Sequence, residues 1–372
     1  MSIFFNTILK NIFTLKFKFN FFPPAKCELL IYDSHSISSG FVNILFKKKK
    51  YVVLDNRYES INLYVLLLSI LSFKFNDLKN TYKKKFISIV KPKIIYTAID
   101  NNPSFFNLKN ICPEPFYISD QNAIAKSNYE TWPNQFSRSC KKINKESKNK
   151  LRADLLFVFN KNDANNMSKL IDGKINILGS TKCNNFFFNG KKNKKISKIL
   201  FINSGLYKET IKKEILLFEY VKKFAQEKKL KLVMISKKDK SYKKIYKETF
   251  GTDFKWTYCA RKKNPVSSYK NFSSDCIIIF SHSTLGLEAL AMGYKCALFL
   301  YDLSKKNINW RDSNNGFFWS NKIDYQNISA AIERVIECSY SEWLKKTHKV
   351  ISKYLVYDYK NLKKKKFINL HC

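Results

Sequence analysis

Apolar and polar positions along the chain alternate in blocks that predict strands followed by helices. Short apolar runs at 28–32, 51–54, 93–98, 116–119, 155–159 and 175–178 have the length and composition of buried strands. A longer apolar stretch that starts at about Ile61 has the length of a helix. Strands that alternate with helices are typical of a parallel sheet covered by helices. We therefore predict a first α/β domain at residues 25–185.

A second alternation begins after residues 186–198, where a glycine and a run of lysines separate two strand patterns. The pattern predicts strands at 199–203, 230–235, 276–280 and 295–299, and helices at 210–229 and 242–250. Beyond residue 325, isoleucine and valine recur at helical spacing. We therefore predict an α/β fold with two Rossmann-like domains and a cleft between them. The second domain is expected at 199–325, the linker at 186–198 and C-terminal helices at 326–372.

The most informative segment is residues 276–299, in which a buried strand, a polar turn, a helix and a second strand follow one another. The polar turn consists of Ser281, His282, Ser283 and Thr284. At the start of a helix, hydroxyl groups, free backbone N–H groups and the helix dipole converge on one point. The segment therefore predicts a phosphate or diphosphate site. A strand–helix–strand unit with a simple Ser/Thr cap and no ligand would have the same pattern.

Polar side chains also follow two strands of the first domain. His35 comes shortly after the strand at 28–32, and Asp100 follows the strand at 93–98. In open α/β sheets the carboxyl ends of the strands line the ligand crevice. Asp100 is the first candidate for a catalytic base, and His35 is the second because imidazole titrates near neutral pH. A capping or turn role remains open for both residues, and for Asp33 and Asp120 in comparable positions.

The charge of the chain is strongly positive. Its 372 residues include 68 Lys and Arg against 29 Asp and Glu, which gives a formal net charge of +39. Such a charge attracts nucleic acid, an anionic membrane surface or phosphate-bearing substrates. The lysines are spread along the whole chain together with many Asn, Ile, Phe and Tyr residues, which indicates compositional drift. Nucleic acid is therefore not favoured as a partner, although a non-catalytic basic protein that binds nucleic acid or membranes remains an alternative.

Cysteine and carboxylate spacing indicates neither a disulfide framework nor a metal site. The nine cysteines are an odd number and include no Cys-x-x-Cys pair. No Asp-x-Asp motif occurs, so we expect no metal ion and no cofactor. A phosphate-bearing ligand would then be a substrate rather than a cofactor. The cysteine usage favours a reducing cytoplasm.

The first 24 residues mix aromatic side chains with lysines. A helix here would place Phe4, Ile8, Ile12 and Leu15 on one side, which is the pattern of an interfacial membrane anchor. A first helix packed on the protein itself would show the same pattern. The longest apolar run, at 61–73, is too short to span a bilayer. We therefore predict a cytoplasmic protein that attaches peripherally to the inner face of the membrane.

The segment Ser-x-Ser-Thr-Leu-Gly-x-Glu-Ala-Leu-Ala-x-Gly at 281–293 resembles the donor-nucleotide segment of glycosyltransferases with two Rossmann-like domains, the GT-B group. In that group this helix start holds the donor diphosphate, and a glutamate in its first turns binds the ribose. The resemblance implies that Ser283, Thr284 and Gly286 contact the phosphates. It also implies that Glu288 binds the ribose.

Four further stretches resemble bacterial surface carbohydrate and lipopolysaccharide (O-antigen) biosynthesis proteins, which are related to the transferases that build teichoic-acid and capsule polymers. They are residues 51–63, 91–102, 179–184 and 316–319. The resemblance implies transfer of a sugar, or of a polyol phosphate as in CDP-glycerol glycerophosphotransferase-like enzymes, to a surface-polysaccharide or lipid-linked acceptor.

The chain departs from the pattern of that family at Ala123 and at Asn160, where a glycine is usual. Alanine adopts positive φ at a higher cost than glycine. The departure at Ala123 therefore puts the geometry of the inter-domain loop that contains it, and the activity, in question. A degenerate transferase is therefore one alternative. A sugar-nucleotide epimerase of the same fold is another, and it would need carboxylates on both sides of the cleft.

Overall fold

The computed structural model describes residues 18–55, 60–72, 77–123, 132–147, 149–186, 195–203, 211–236, 242–258, 267–281, 283–300 and 316–371. Within these residues two six-stranded sheets form the centres of two α/β domains. Every strand pair in both sheets is parallel. The predicted fold class, with two parallel-sheet domains, is confirmed.

The first domain alternates strands and helices as the sequence pattern predicts. Its elements are β1 (Lys18–Asn20), β2 (Leu29–Tyr32), α1 (His35–Ser38), α2 (Phe41–Leu45), β3 (Val52–Leu54), β4 (Ser60–Asn62), α3 (Leu63–Ile70), α4 (Leu78–Val90), β5 (Ile94–Thr97), α5 (Pro103–Ile111), β6 (Phe116–Asp120), α6 (Trp132–Ser147), β7 (Leu151–Val158), α7 (Lys161–Ser168), β8 (Ile171–Ile177) and α8 (Thr181–Asn184). The sheet order is β3-β2-β5-β6-β7-β8. Strands β2 and β5 are apolar and fully buried, which explains their continuous hydrophobic runs.

The sequence pattern did not predict the two-stranded sheet formed by β1 and β4. Lys18 pairs with Ser60, and Asn62 pairs with Asn20. The side-chain amide of Asn62 also donates to the carbonyl oxygen of Phe22 at 2.7 Å. Residues 18–24, which were expected to form part of a separate amphipathic segment, are therefore attached to the first domain. The four side chains predicted to face a membrane lie at 4–15, outside the described residues.

The second domain has the same architecture. Its elements are β9 (Lys198–Ile202), α9 (Ile211–Glu227), β10 (Lys231–Ser236), α10 (Lys243–Phe250), β11 (Lys255–Tyr258), a 3₁₀ turn (Ser267–Asn271), β12 (Cys276–Phe280), α11 (Thr284–Ala291), β13 (Cys296–Phe299), β14 (Trp319–Ser320), α12 (Tyr325–Glu337), α13 (Tyr340–Tyr354) and α14 (Leu362–Asn369). The sheet order is β11-β10-β9-β12-β13-β14. Strand β12 is the central apolar run of the segment 276–299, and all five of its residues are buried.

The last helix returns to the first domain. Ile368 of α14 is buried in the cluster that contains Leu29 and Phe157 of the first sheet. Leu355, a few residues earlier, is still buried in the core of the second domain. The chain therefore crosses between the domains near residues 356–361. Among the described residues, no helix is long and apolar enough to cross a membrane.

Candidate functional site

The N-terminus of α11 presents two buried serine hydroxyls. Ser283 occupies the N-cap position in extended backbone, but its side chain makes no capping hydrogen bond. The hydroxyl oxygens of Ser281 and Ser283 are both buried, and neither has a hydrogen-bond partner. A buried polar group without a partner costs about 1–3 kcal/mol, so such groups are rare in folded proteins. Two of them at one helix start fit the anion site that the sequence predicts.

Of two other residues in the predicted donor segment, the structure describes one. Thr284, the first residue of α11, is half-buried at the same helix end. His282 lies outside the described residues. The structure therefore places Ser281, Ser283 and Thr284 at the helix start and gives no geometry for the imidazole.

Gly286 is required by packing. A Cβ atom at this position would lie 2.2 Å from Cγ of the Phe280 ring. The first turn of α11 can approach the end of β12 only because residue 286 has no side chain. This role of Gly286 does not depend on a ligand, whereas contact with a donor phosphate remains a prediction.

Glu288 links α11 to the end of the first domain. Its Oε1 accepts a 2.5 Å hydrogen bond from the hydroxyl of Ser180, and its Oε2 accepts a 2.7 Å bond from the hydroxyl of Tyr269. Ser180 is the N-cap of α8, so the bond joins the two domains. The carboxylate is buried, and the two hydroxyl donors hold it in place. The sequence pointed to Glu288 but gave no indication of these two partners.

Ser180 follows a glycine that the close approach of the C-terminal segment requires. Gly179 has φ +68°, and a Cβ atom there would lie 1.7 Å from the carbonyl oxygen of Val356. This is the place where the chain crosses back between the domains. The Gly-Ser pair therefore combines a tight backbone contact with a hydroxyl that reaches Glu288.

The two candidate catalytic residues of the first domain meet at Asn122. The backbone N–H of Asn122 donates to Oδ1 of Asp100 at 3.3 Å. Its side-chain nitrogen lies 3.5 Å from Nε2 of His35. Lys182 of α8 donates to the side-chain oxygen of Asn122 at 3.2 Å. An acid, an imidazole and an ammonium group thus converge at the carboxyl edge of the first sheet, although the sequence named only Asp100 and His35.

Asp100 has the ionisation of a base that works near neutral pH. The pKa of its carboxyl is raised to about 7, chiefly by burial; the Asn122 N–H lowers it, and the nearby carboxylates of Asp163 and Asp120 raise it. Asp163 is itself buried, which raises its pKa to about 6 although Gln121 and Asn160 donate to it. Sequence reasoning missed Asp163 because it lies inside a helix rather than after a strand.

Asp33 and His35 form a strained turn at the end of β2. Asp33 has φ +80°, an uncommon conformation for a residue with a side chain. Its Oδ1 accepts a hydrogen bond from the backbone N–H of His35 at 2.9 Å. Asp33 therefore has the turn role that was left open for it, and this role sets the position of His35.

Asp120 has a structural role. Its Oδ1 accepts a 2.8 Å bond from Nζ of Lys364, and both side chains are fully buried. Its Oδ2 accepts bonds from Thr181 at 2.5 Å and from Tyr96 at 3.2 Å. Lys364 also donates to Thr181 and to the carbonyl oxygen of Gly179. Burial lowers the pKa of Lys364, and the charge of Asp120 opposes that effect.

The two departures from the family pattern are accommodated. Ala123 is not among the residues with positive φ, and its carbonyl oxygen accepts a 2.9 Å bond from the side chain of Gln121. Asn160 has φ −155° and caps α7 through a bond from the N–H of Asp163. Neither residue strains the loop by adopting a conformation that requires glycine. In the part of the chain that the structure describes, no group of three His, Cys, Asp or Glu side chains could hold a metal ion.

Two parallel-sheet domains, with the last helix returning to the first domain, form an architecture similar to the GT-B fold. The fold is similar to that of the spinosyn rhamnosyltransferase SpnG (TM-score 0.54, 7% identity, 92% of this chain and 99% of that one). It is also similar to Neisseria meningitidis UDP-GlcNAc 2-epimerase bound to UDP-GlcNAc (TM-score 0.53, 11% identity, 92% and 98%). A third similar structure is S. aureus MnaA with UDP (TM-score 0.51, 14% identity, 92% and 96%).

Residues 203–371 match a family model described as "putative O-antigen biosynthesis protein". The resemblance to surface-carbohydrate biosynthesis proteins, first seen in motifs, is confirmed by this match. A search of curated proteins found no match. The identities to solved structures are low, so these structures show the fold and do not distinguish transfer from epimerisation.

Proposed function

We propose that the protein is a glycosyltransferase that moves a sugar, or a polyol phosphate, from a nucleotide-activated donor to a surface-polysaccharide or lipid-linked acceptor. The observation that carries this proposal is the pair of buried hydroxyls without partners, Ser281 and Ser283, at the start of α11. The description of the matching family model supports a role in surface-glycan synthesis.

The start of α11 would hold the diphosphate of the donor. A phosphate oxygen that accepts a hydrogen bond from the Ser283 hydroxyl would recover the free energy lost by burying that group without a partner. The free N–H groups of the first turn and the positive end of the helix dipole would add to this attraction. The same contacts would stabilise the negative charge that develops on the leaving nucleotide.

Glu288 would bind the ribose without losing its present partners. Each carboxylate oxygen can accept more than one hydrogen bond, and Ser180 and Tyr269 each use one. A ribose hydroxyl could therefore donate to a carboxylate that is already oriented. In this proposal Ser180 and Tyr269 are positioning residues, and Glu288 is the residue that touches the donor.

Asp100 would take the proton from the acceptor hydroxyl. As that oxygen forms a bond to the transferred group, the bond to the nucleotide phosphate breaks and the proton moves to the carboxylate of Asp100. A pKa of about 7 leaves a large fraction of the carboxylate ionised at neutral pH while keeping it basic enough to accept a proton. His35, held near Asn122, is the alternative base.

A sugar-nucleotide epimerase is the second candidate, because the fold is as similar to an epimerase as to a transferase. The described residues place the acid with a raised pKa in the first domain, whereas the carboxylate of Glu288 is occupied by two hydroxyl donors. This arrangement favours transfer. An assay that follows both the sugar of the recovered nucleotide and the release of free nucleotide separates the two activities.

The donor site is tested by measuring the melting temperature of the full chain with UDP-, GDP-, CMP- and CDP-linked donors. Ser283→Ala should abolish the stabilisation by the preferred donor. The melting temperature without ligand should change little, because the hydroxyl has no partner to lose. Ser339→Ala is the matched control, since Ser339 caps α13 through a bond to the N–H of Glu342.

The control should show the opposite behaviour. Ser339→Ala should lower the stability by about 1 kcal/mol and leave the donor-induced shift intact. If no nucleotide-linked donor raises the melting temperature of the wild-type chain, the donor-site proposal is wrong. If both variants keep the shift, the donor binds elsewhere.

A further inference from the structure

Helix α3 is apolar on the side that it turns away from the protein. Val65 and Ser69 are buried, whereas Tyr64, Leu67 and Ile70 are exposed at intervals of three residues. A helix on the surface of a globular protein normally carries polar residues on its outer side. Leu67 is 57% exposed, and Leu71 directly after the helix is equally exposed. The outer side of α3 therefore has the composition of a surface that a membrane or a second protein covers.

The neighbouring strand β1 extends this apolar surface. Phe21 is 67% exposed and Phe22 is 83% exposed, which is unusual for so large a ring. The bond from the side chain of Asn62 to the carbonyl oxygen of Phe22 ties this segment to the start of α3. We call the combined surface the docking face. It consists of Phe19, Phe21, Phe22, Tyr64, Leu67, Ile70 and Leu71.

The charge around the docking face identifies what covers it. Residues 18–26 and 60–72 contain no aspartate or glutamate, and Lys18 and Lys26 are exposed. Lys79 is exposed in the first turn of α4, which packs against α3. Apolar side chains with Lys18, Lys26 and Lys79 around them, and with Asp77 as the exposed acid beside Lys79, match the boundary between the acyl chains and the headgroups of an anionic bilayer. A net charge of +39 opposes the close approach of a second copy of this chain.

We infer that the docking face binds the surface of an anionic lipid bilayer. Phe21, Phe22 and Leu67 enter the interfacial layer, and Lys18 and Lys26 contact the lipid phosphates. This surface is formed by folded elements of the first domain.

A cavity lies beside the docking face, and one of its lining residues is next in sequence to a candidate base. It has a volume of about 740 Å³, and its lining includes Phe22, Tyr82, Asp55 and Ser34. Ser34 precedes His35, one of the two candidate bases. If the proposed transfer is correct, an acceptor carried by a membrane lipid could enter the first domain from this side. That consequence rests on the proposed function, whereas the docking itself does not.

The inference is tested by flotation of the full chain with vesicles of equimolar phosphatidylglycerol and phosphatidylcholine. The double variant Phe22→Ser/Leu67→Ser should lower the partition coefficient by about a hundredfold, because each of the two large apolar side chains removed from the interface weakens binding by about tenfold. Vesicles of phosphatidylcholine alone should bind the wild-type chain more weakly, since they offer no anionic lipid to the lysines.

Leu362→Ser/Leu370→Ser is the matched control, because these leucines are 60% and 68% exposed but lie at the two ends of α14. This control should bind vesicles as the wild type does. Equal loss in both double variants, or no binding by the wild type, would overturn the inference. It is also overturned if the wild type forms a dimer in solution that Phe22→Ser/Leu67→Ser abolishes. Donor-induced thermal stabilisation should survive in both double variants, which separates failure here from failure of the proposed function.

Discussion

Asp100 and Asp120 follow neighbouring strands of the first sheet, yet the structure gives them different surroundings. Asp120 ends β6 and is paired with the ammonium group of Lys364 inside the protein. Asp100 follows β5 and has an N–H donor from Asn122, but burial, with a smaller contribution from nearby carboxylates, raises its pKa to about 7. The first residue holds the C-terminal helix on the domain. The second has a pKa close to neutral pH.

The comparison teaches that position at the end of a strand does not decide the role of a carboxylate. Lys364 is 244 positions away from Asp120 in the sequence, and α14 brings the two together only after the chain has crossed back from the second domain. A carboxylate that meets a buried cation forms a structural ion pair, as Asp120 does with Lys364. A carboxylate that is buried with other carboxylates nearby has a raised pKa, as Asp100 does, and a raised pKa is a common feature of catalytic sites.

The largest effect is expected for Lys364→Met. The substitution leaves Asp120 buried without its cation, which should lower the free energy of unfolding by about 3–5 kcal/mol. Urea denaturation at neutral pH measures this loss. The double variant Asp120→Asn/Lys364→Met should recover much of the stability, because it removes the charge together with its partner. Equal stability of Lys364→Met and the wild type would contradict the structural role of this pair.

The next largest change in stability is expected for Asp100→Asn. This substitution should raise the free energy of unfolding, whereas Lys364→Met should lower it. The pKa of Asp100 rises from 3.8 to about 7 on folding, so the folded protein retains a proton that the unfolded chain releases between these pH values. The stability of the wild type should therefore fall as the pH rises through this window. Asparagine cannot ionise, so above the folded-state pKa the variant should be more stable by up to about 4 kcal/mol, since each pKa unit of the shift corresponds to about 1.4 kcal/mol.

Denaturation at pH 8 and at pH 4 measures this difference, which should vanish at the lower pH. His348→Gln is a suitable control, because His348 lies on the exposed side of α13 in the second domain. A variant that is no more stable than the wild type at pH 8 would show that burial does not penalise the Asp100 carboxylate.

The smallest effect is expected for Thr181→Val. This change keeps the shape of the side chain and removes the hydroxyl that donates to Asp120 and accepts from Lys364. The loss of stability should be about 1–3 kcal/mol, below that of Lys364→Met, because the ion pair remains. A larger loss than in Lys364→Met would mean that the hydroxyl, rather than the ammonium group, holds Asp120.

The sequence pattern predicted the apolar strands and the helix start at Ser283 because local periodicity and capping chemistry determine both. Strands β2, β5, β9 and β12 lie within a residue of their expected bounds. Strand β1 was missed because three exposed residues carry no periodic pattern. Strand β11, whose residues are partly or fully exposed, was missed for the same reason.

The contacts between the two domains could not be predicted from local sequence patterns. Nothing near Glu288 in the sequence indicates Ser180, and nothing near Asp120 indicates Lys364. Lys182 reaches Asn122 only because α8 lies beside the end of β6. The candidate site is therefore predictable as two halves. How the two halves come together depends on how the last helix, α14, packs on the first domain.

The most direct test of the account is the pH dependence of sugar transfer by the wild type and by Asp100→Asn, measured between about pH 5 and 9 with the donor found in the binding screen. The account predicts that the wild-type rate rises with an apparent pKa near 7. It also predicts that Asp100→Asn is slower by about 10²–10⁴-fold with donor binding unchanged. An Asp100→Asn variant with the rate and pH profile of the wild type would contradict the account.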